Sequence, residues 1–406
     1  MGGGAHRHWQ GRGKGTKPRM VGQKETGVIL LEDGPGGTAA LFDAALDRIV
    51  VWQAADLAPA LARLDAARTA GRYVAGYLSY EAGYALEPAL GALMPPDRNL
   101  PLLAFGIYDA PRSADAVLTR ARDLTPAVAL SLPELVLDQL AYATAFARVK
   151  SYIAAGDCYQ INLTFPMRAQ LSGTPLGLYA ALRARQAVRH GAYVDLGVGP
   201  VLVSRSPELF LRLDASGRIE TRPMKGTAPR DPDPVRDAEL AEEMRASTKG
   251  QAENLMIVDL LRNDISRIAK VGSVKVPKLF AIESYATVHQ MVSSVVGQLA
   301  EPATLAGLMT ALFPCGSITG APKIRAMQII REVEPAPRGA YCGAIGWMGP
   351  DGAAGFNVAI RTLSVFDGGL VELNVGGGVV HDSTMAAEWE EALWKARYAR
   401  GLTRPA

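Results

Sequence analysis

This 406-residue chain has no strong charge of either sign: 43 Lys and Arg face 40 Asp and Glu, a formal +3. A dedicated nucleic-acid binder carries a strongly basic domain, so the balance argues against that class. No apolar run reaches the roughly 18 residues that a membrane-spanning helix needs. The basic N-terminal stretch MGGGAHRHWQGRGKGTKPRM has no apolar segment behind it, so it is not a secretory signal. His6 stands where a myristoylation signal wants Ser or Thr. Cysteine is scarce. Cys158, Cys315 and Cys342 form no metal knuckle, and their odd number suits reduced, small apolar residues in a cytoplasmic protein. No solenoid repeat and no interior low-complexity linker is present, and no Walker or GxGxxG pattern points to a nucleotide.

A 49% hydrophobic composition supplies a sizeable core and excludes global disorder. Residues 1–20 read as a disordered tail, with Met20 an alternative start. Residues 21–135 read as an N-terminal lobe and 140–400 as the chemistry-bearing region, both parts of one intertwined fold. DLAPALARLDAARTAG is a helix with Asp56 as N-cap and Gly71 at its end. YATAFARVKSYIAAGD is another, CYQINLTFPMRAQL alternates as a strand, and VLVSRSPELFLRLD and GRIETRP read as successive strands. Asp233-Pro234 starts a helix. Thr248 with Gln251 resembles a capping box, placing Glu253 in a first turn. NVAIRTLSVF and LVELNVGGGVV read as strands, and MAAEWEEALWKARYARGL as a terminal helix. Strands and helices interleave without a βαβ rhythm, which predicts a complex α/β fold.

Candidate chemistry sits on a few segments. Glu388 and Glu391 are three apart on the terminal helix and share a face, while Trp389 points elsewhere and Glu390 meets solvent. With Glu253 from a second helix, these carboxylates are the oxygen donors that Mg²⁺ prefers. Taken alone, EWEE is more usually a solvated helix face. FPCGSITGAPK and NVGGGVV let backbone amides approach an anion, with Ser317 and Thr319 as hydroxyl donors. Arg361 offers a fork for a carboxylate. The alternative is tight turns and a surface arginine. Lys225, in TRPMKGTAPR, sits where the chain should turn. As a nucleophile it needs its pKa lowered by burial or by neighbouring cations; protonated, it stabilises an anion.

SPELF, RPMKGTAPR, AENLMIVDLLRND, CGSITGAPKIRAM and NVAIRTL occur in this order. So arranged, they resemble the chorismate-utilising enzyme family over nearly all of 140–400, and over 25–135 more weakly through LLED and AGYLSYEAGYALEP. The resemblance implies a four-layer α/β/β/α sandwich with two facing, mainly antiparallel sheets of the anthranilate synthase component I type. It implies chorismate as substrate and Mg²⁺ held by Glu253 and Glu391 with Glu388 close by. Arg361, Tyr341 and the backbone at Gly376 and Gly378 match the carboxylate-holding positions, and Ser317 and Thr319 the hydroxyl loop. Gln160 stands where water-adding members carry a lysine base, which disfavours isochorismate or salicylate synthesis. Anthranilate-forming members have Ala at Lys225. The lysine therefore implies amination at carbon 4, giving 4-amino-4-deoxychorismate for p-aminobenzoate and folate synthesis. In that reading Lys225 attacks ring carbon 2 and Glu208 protonates the departing hydroxyl. No cysteine lies in a Gly-x-Cys-x-Gly context, so a separate glutamine amidotransferase subunit is the expected partner. The short stretch after residue 401 leaves no fused lyase to finish p-aminobenzoate. Anthranilate formation and a silent chorismate-binding protein are the alternatives. Departures from the family pattern are Cys315 in place of Gly, Gly250 where some relatives are acidic, and Gln290 where anthranilate-type members have His, with His289 one position earlier.

Overall fold

The computed structural model describes residues 27–285 and 288–402, so the expected tail 1–20 and Met20 lie outside the described residues. Two sheets dominate, one of 11 strands and one of 10, and every pairing between their strands is antiparallel. Residues 28–113 feed both. Val28–Leu31 and Ala40–Phe42 enter the larger sheet, while Asp47–Val51, Tyr73–Leu78 and Leu103–Tyr108 form one end of the smaller. Helices cover the outer faces. Leu57–Thr69, Thr248–Ser266 and Leu305–Leu312 lie on the 10-stranded side; Gln139–Ala154, Pro175–Arg185, Lys323–Val333 and Met385–Lys395 lie on the other. One continuous apolar core runs from helix to sheet to sheet, joining Val149 and Phe165 to Phe210, Leu211 and Ile257. The layering is thus α/β/β/α, as expected.

The long strand Gln160–Ser172 shows how alternation builds this core. Ile161, Leu163, Phe165, Met167 and Leu171 are buried on one face, and period two puts Gln160, Asn162 and Thr164 on the other. Its neighbour Leu370–Val379 pairs along its whole length, Gly376 opposite Thr164 and Gly378 opposite Asn162. On the terminal helix Trp389 stacks on Phe165 with ring centroids 4.9 Å apart, and Tyr142 lies 5.1 Å away. That anchor turns Glu388 and Glu391 to a different side of the helix, and Glu390 is exposed, as the spacing predicted.

Two expected strands are each broken. Val201–Ser204 belongs to the larger sheet and Leu209–Leu213 to the smaller, so SRSPE carries the chain between sheets. Ala354–Val358 and Thr362–Val365 are divided in the same way. Pro207 has no N–H to offer a ladder. Arg361 adopts φ +50, which a strand residue cannot. The two crossings run side by side: Val358 N donates to Glu208 O at 3.1 Å, and Arg205 N to Arg361 O at 2.9 Å. Helix Thr248–Ser266 is capped by Ser247, whose hydroxyl accepts from Gly250 N at 3.1 Å, and not by Thr248. Glu253 therefore falls in the second turn. The helix expected at Asp233-Pro234 starts there, Asp233 accepting from Val235 N at 3.0 Å, whereas the one expected from Tyr142 starts at Gln139, capped by Asp138. Asp56 precedes its helix without a side-chain cap bond.

Candidate active site

The paired crossings open onto a cavity of about 560 Å³ lined by Glu208, Lys225, Glu253, Ser317, Tyr341, Arg361, Gly376, Gly378, Glu388 and Glu391. Ten residues scattered over 180 positions thus meet in one place. Thr319 and Gln160 do not form its lining. Thr319 is fully buried and its hydroxyl donates back to Cys315 O and Gly316 O, both at 3.2 Å, so it shapes the loop that presents Ser317. Gln160 is buried against the same side of Gly378 as Lys225, with neither side-chain polar atom bonded.

Lys225 lies on Met224–Pro229, paired with Val288–Gln298. The register slips between Lys225 and Thr227, where Gly226 takes φ +78. A bulge thus re-aims the side chains around it. The Lys225 amine makes no hydrogen bond or ion pair with any described residue. Burial lowers its pKa; Glu253 pulls the other way and the Lys395 ammonium adds to the lowering. Gly378 explains the close fit: a Cβ there would stand 2.8 Å from Lys225 Nζ and 3.1 Å from Gln160 Cδ.

Glu208 is 4% exposed, and its Oε1 has no hydrogen-bond partner. Burial raises its pKa to about 7 against the lowering effects of Ser317 and Lys225. A carboxyl so placed carries a proton near neutrality and has a partner still to find. Arg361 likewise makes no side-chain hydrogen bond with a described residue. Its left-handed backbone is a strain of the kind that collects at functional sites.

All three candidate metal carboxylates line the cavity, and two of them, Glu388 and Glu391, lie side by side behind Gly377. A Cβ on Gly377 would lie 2.8 Å from Glu388 Oε2 and 3.9 Å from Glu391 Oε1. Burial and the Glu391 charge raise the Glu388 pKa against a bond from Ser383 at 2.6 Å. Burial would raise Glu391 too, but Lys395, 2.8 Å away, holds it low. Lys249 stands 3.8 Å from Glu253. Among the described residues no three acidic, His or Cys groups converge tightly enough to chelate an ion. What fits Mg²⁺ is the donor chemistry: carboxylate oxygens in mutual repulsion, with room for the waters this ion keeps.

The sequence reading passed over Asn162, Lys249, Lys395 and Tyr398, which also line the cavity, as does Gln290, noted there only as a departure from the anthranilate-type pattern. Lys395 was accessible to it, standing four residues after Glu391 on the same helix face. Tyr398, with its buried hydroxyl unbonded, and Asn162 carried no local signal. His289 is held elsewhere, between Ser284 at 2.8 Å and Asp237 at 2.9 Å. The three cysteines are buried and unpaired, their thiols pushed up by burial to about 11 for Cys158 and about 12 for Cys315 and Cys342. Among the described residues no helix is long and apolar enough to cross a membrane.

Residues 17–400 match the family described as chorismate binding enzyme, and the chain belongs to that family. Within it, the chain is 45% identical over 254 residues to aminodeoxychorismate synthase component 1 of Escherichia coli (strain K12), covering 63% of this chain and 55% of that protein. It is 39% identical over 319 residues to the protein of the same name from Salmonella typhimurium, covering 74% and 70%. Anthranilate synthase component 1 of Streptomyces coelicolor is 42% identical over 262 residues, covering 64% of this chain and 51% of the relative. The matched stretch thus spans a little over half of the first of these relatives. Anthranilate synthase component I from Streptococcus pneumoniae TIGR4 shares the fold with a TM-score of 0.72 at 24% identity, covering 96% of each chain. A 2,3-dihydroxybenzoate-specific isochorismate synthase from Bacillus anthracis does so at 0.72 and 21% identity, covering 93% and 96%.

Proposed function

We propose that this chain aminates chorismate at carbon 4, giving 4-amino-4-deoxychorismate. The observation that carries the reading is Lys225: an amine without a partner among the described residues, its pKa lowered by burial, in one cavity with a protonatable Glu208. Lys225 Nζ attacks ring carbon 2 as the neutral amine. The two ring double bonds shift and the carbon 4–oxygen bond breaks, the hydroxyl leaving as water with the Glu208 proton. Ammonia then adds at carbon 4, the double bonds shift back, and the Lys225 nitrogen is expelled from carbon 2. Arg361, with Tyr341 and Ser317, binds one substrate carboxylate through charge-assisted hydrogen bonds. Mg²⁺, bound by Glu253 and Glu391 with Glu388 nearby, would supply fixed positive charge for the other carboxylate. The relatives named component 1 support a two-component system. A separate glutamine amidotransferase supplies the ammonia, because the buried, high-pKa cysteines of this chain are unsuited to nucleophilic work. The same reading puts the reaction in the cytoplasm.

The test uses the purified chain with chorismate, Mg²⁺, an ammonium salt at mildly alkaline pH and an aminodeoxychorismate lyase. p-Aminobenzoate that requires both lyase and Mg²⁺ is the expected product. Anthranilate formed without lyase would transfer the chain to the anthranilate-forming branch, and binding without turnover would make it a silent binder. Lys225→Ala should abolish amination; full activity in that variant would remove the lysine from the mechanism.

A further inference from the structure

The stretch SYEAGY of the N-terminal lobe stands outside the chemistry described so far and does not line the cavity, yet it packs on Arg338, which bonds to residues that do. Glu81 is buried, and its carboxylate accepts from Arg338 N at 2.7 Å and from Gly339 N at 3.1 Å. The ring of Tyr80 lies 4.5 Å from the Arg338 guanidinium carbon. That guanidinium is 1% exposed and fully engaged in other directions. Its Nε donates to Glu334 Oε2 at 2.9 Å and its Nη2 to Glu334 Oε1 at 2.7 Å. Nη1 donates to Ile318 O at 2.9 Å, and Nη2 also to Asn162 O at 2.6 Å. Glu334 Oε1 in turn accepts from Thr164 N at 2.8 Å.

Asn162 and Ile318 both line the cavity, and Ser317 is next to Ile318. Tyr341, which lines it too, closes a turn by donating its N–H to Arg338 O at 3.1 Å. One planar cation therefore ties together three separately folded pieces: the hydroxyl loop, the strand Gln160–Ser172 and the Tyr341 turn. Only a rigid fork with five donors can reach two carbonyls and a carboxylate at once; a lysine ammonium cannot. Burying such a charge is costly unless every donor is used. A merely stabilising role could have been filled by apolar side chains.

We propose that Arg338, locked by Glu334 and Glu81, is a positioning residue that sets Ser317 and Tyr341 at the spacing needed to grip a substrate carboxylate. It touches no substrate itself and acts through the backbone carbonyls it holds. The inference rests on the proposed function only in taking chorismate as the ligand, so direct chorismate binding is the readout and product identity does not enter.

The variants are Arg338→Lys and the neutral pair Arg338→Met with Glu334→Gln, which removes the buried ion pair as a whole should the lysine variant fold poorly, the Glu81 bonds to the backbone N–H of residues 338 and 339 being kept. Each is measured alone and combined with Ser317→Ala, by chorismate titration of the full chain and by thermal melting. Arg338→Lys and the neutral pair should each weaken chorismate binding roughly ten- to a hundredfold, the scale of a misplacement near 1 Å. In the Ser317→Ala background the same changes should cost less, because one of the two groups they misplace is already gone and only the Tyr341 contribution is left. A lowered melting temperature with unchanged affinity in the folded variants would reduce Arg338 to a structural residue, and full additivity with Ser317→Ala would disconnect it from the loop. If the unsubstituted chain fails to bind chorismate, the proposed function falls and this inference with it; if it binds and the variants do too, only this inference falls.

Discussion

Adding one methyl group at Gly378 tests the placement of Lys225 without removing any functional group. The new Cβ would lie 2.8 Å from Lys225 Nζ, against about 3.5 Å for comfortable contact, so the amine must retreat by about 0.7 Å. Gln160 Cδ, at 3.1 Å, must give slightly as well; both groups are the ends of flexible side chains, and Gly378 has no left-handed backbone that Ala would strain. Gly378→Ala should therefore fold normally, melting within about 2 °C of the parent. Its kcat for amination should fall roughly ten- to a hundredfold, since reacting groups tolerate little misplacement. Gly376→Ala, two residues earlier, is the control. There the Cβ would meet Leu163 O at 2.2 Å and Thr164 Cα at 2.7 Å, backbone atoms of the paired strand that cannot swing away. That variant should lose about 3 kcal/mol of stability. The assay pair is steady-state p-aminobenzoate formation and thermal melting. Unchanged kcat in Gly378→Ala, or a loss of stability matching that of Gly376→Ala, would refute the packing of Lys225 against this strand.

Other consequences can be measured in the same laboratory. The rate should be bell-shaped in pH, because attack needs Lys225 without its proton and departure of the hydroxyl needs Glu208 with its own, so Glu208→Gln should lack the alkaline limb. Stability carries the same signature. Glu208 has a folded pKa of about 7, raised above the unfolded value near 4.5, so its contribution is full below about pH 4.5 and is lost as pH climbs through 7. Across that window the parent should lose up to about 3 kcal/mol relative to Glu208→Gln, and a pH-independent difference in melting temperature would contradict the buried carboxyl. Trp389→Ala should cost about 3–5 kcal/mol by emptying the stack on Phe165 and Tyr142. Ser247→Ala should cost about 1 kcal/mol by uncapping the helix that carries Glu253, and a urea midpoint unmoved by it would put the cap elsewhere.

Local spacing was enough for several features. The sequence alone determined that Glu388 and Glu391 share a helix face while Trp389 leaves it, because 3.6 residues per turn admits no other outcome. It determined the alternation of Gln160–Ser172 and the start of the helix at Asp233-Pro234, both of which depend on neighbours a few residues away. Five ordered motifs were enough to assign the family. The site itself was a tertiary decision. SPELF and NVAIRTL read as unbroken strands because their apolar pattern continues, yet each crosses between sheets, and the crossings deliver Glu208 and Arg361 to the cavity. Whether an amine is unpaired, or a carboxyl protonated, depends on burial and on groups distant in the chain: Glu208 near Lys225, Glu81 against Arg338. Periodicity encodes which face a side chain takes; only packing of remote segments sets its distance to a partner and the water it loses, and those two quantities decide its chemistry.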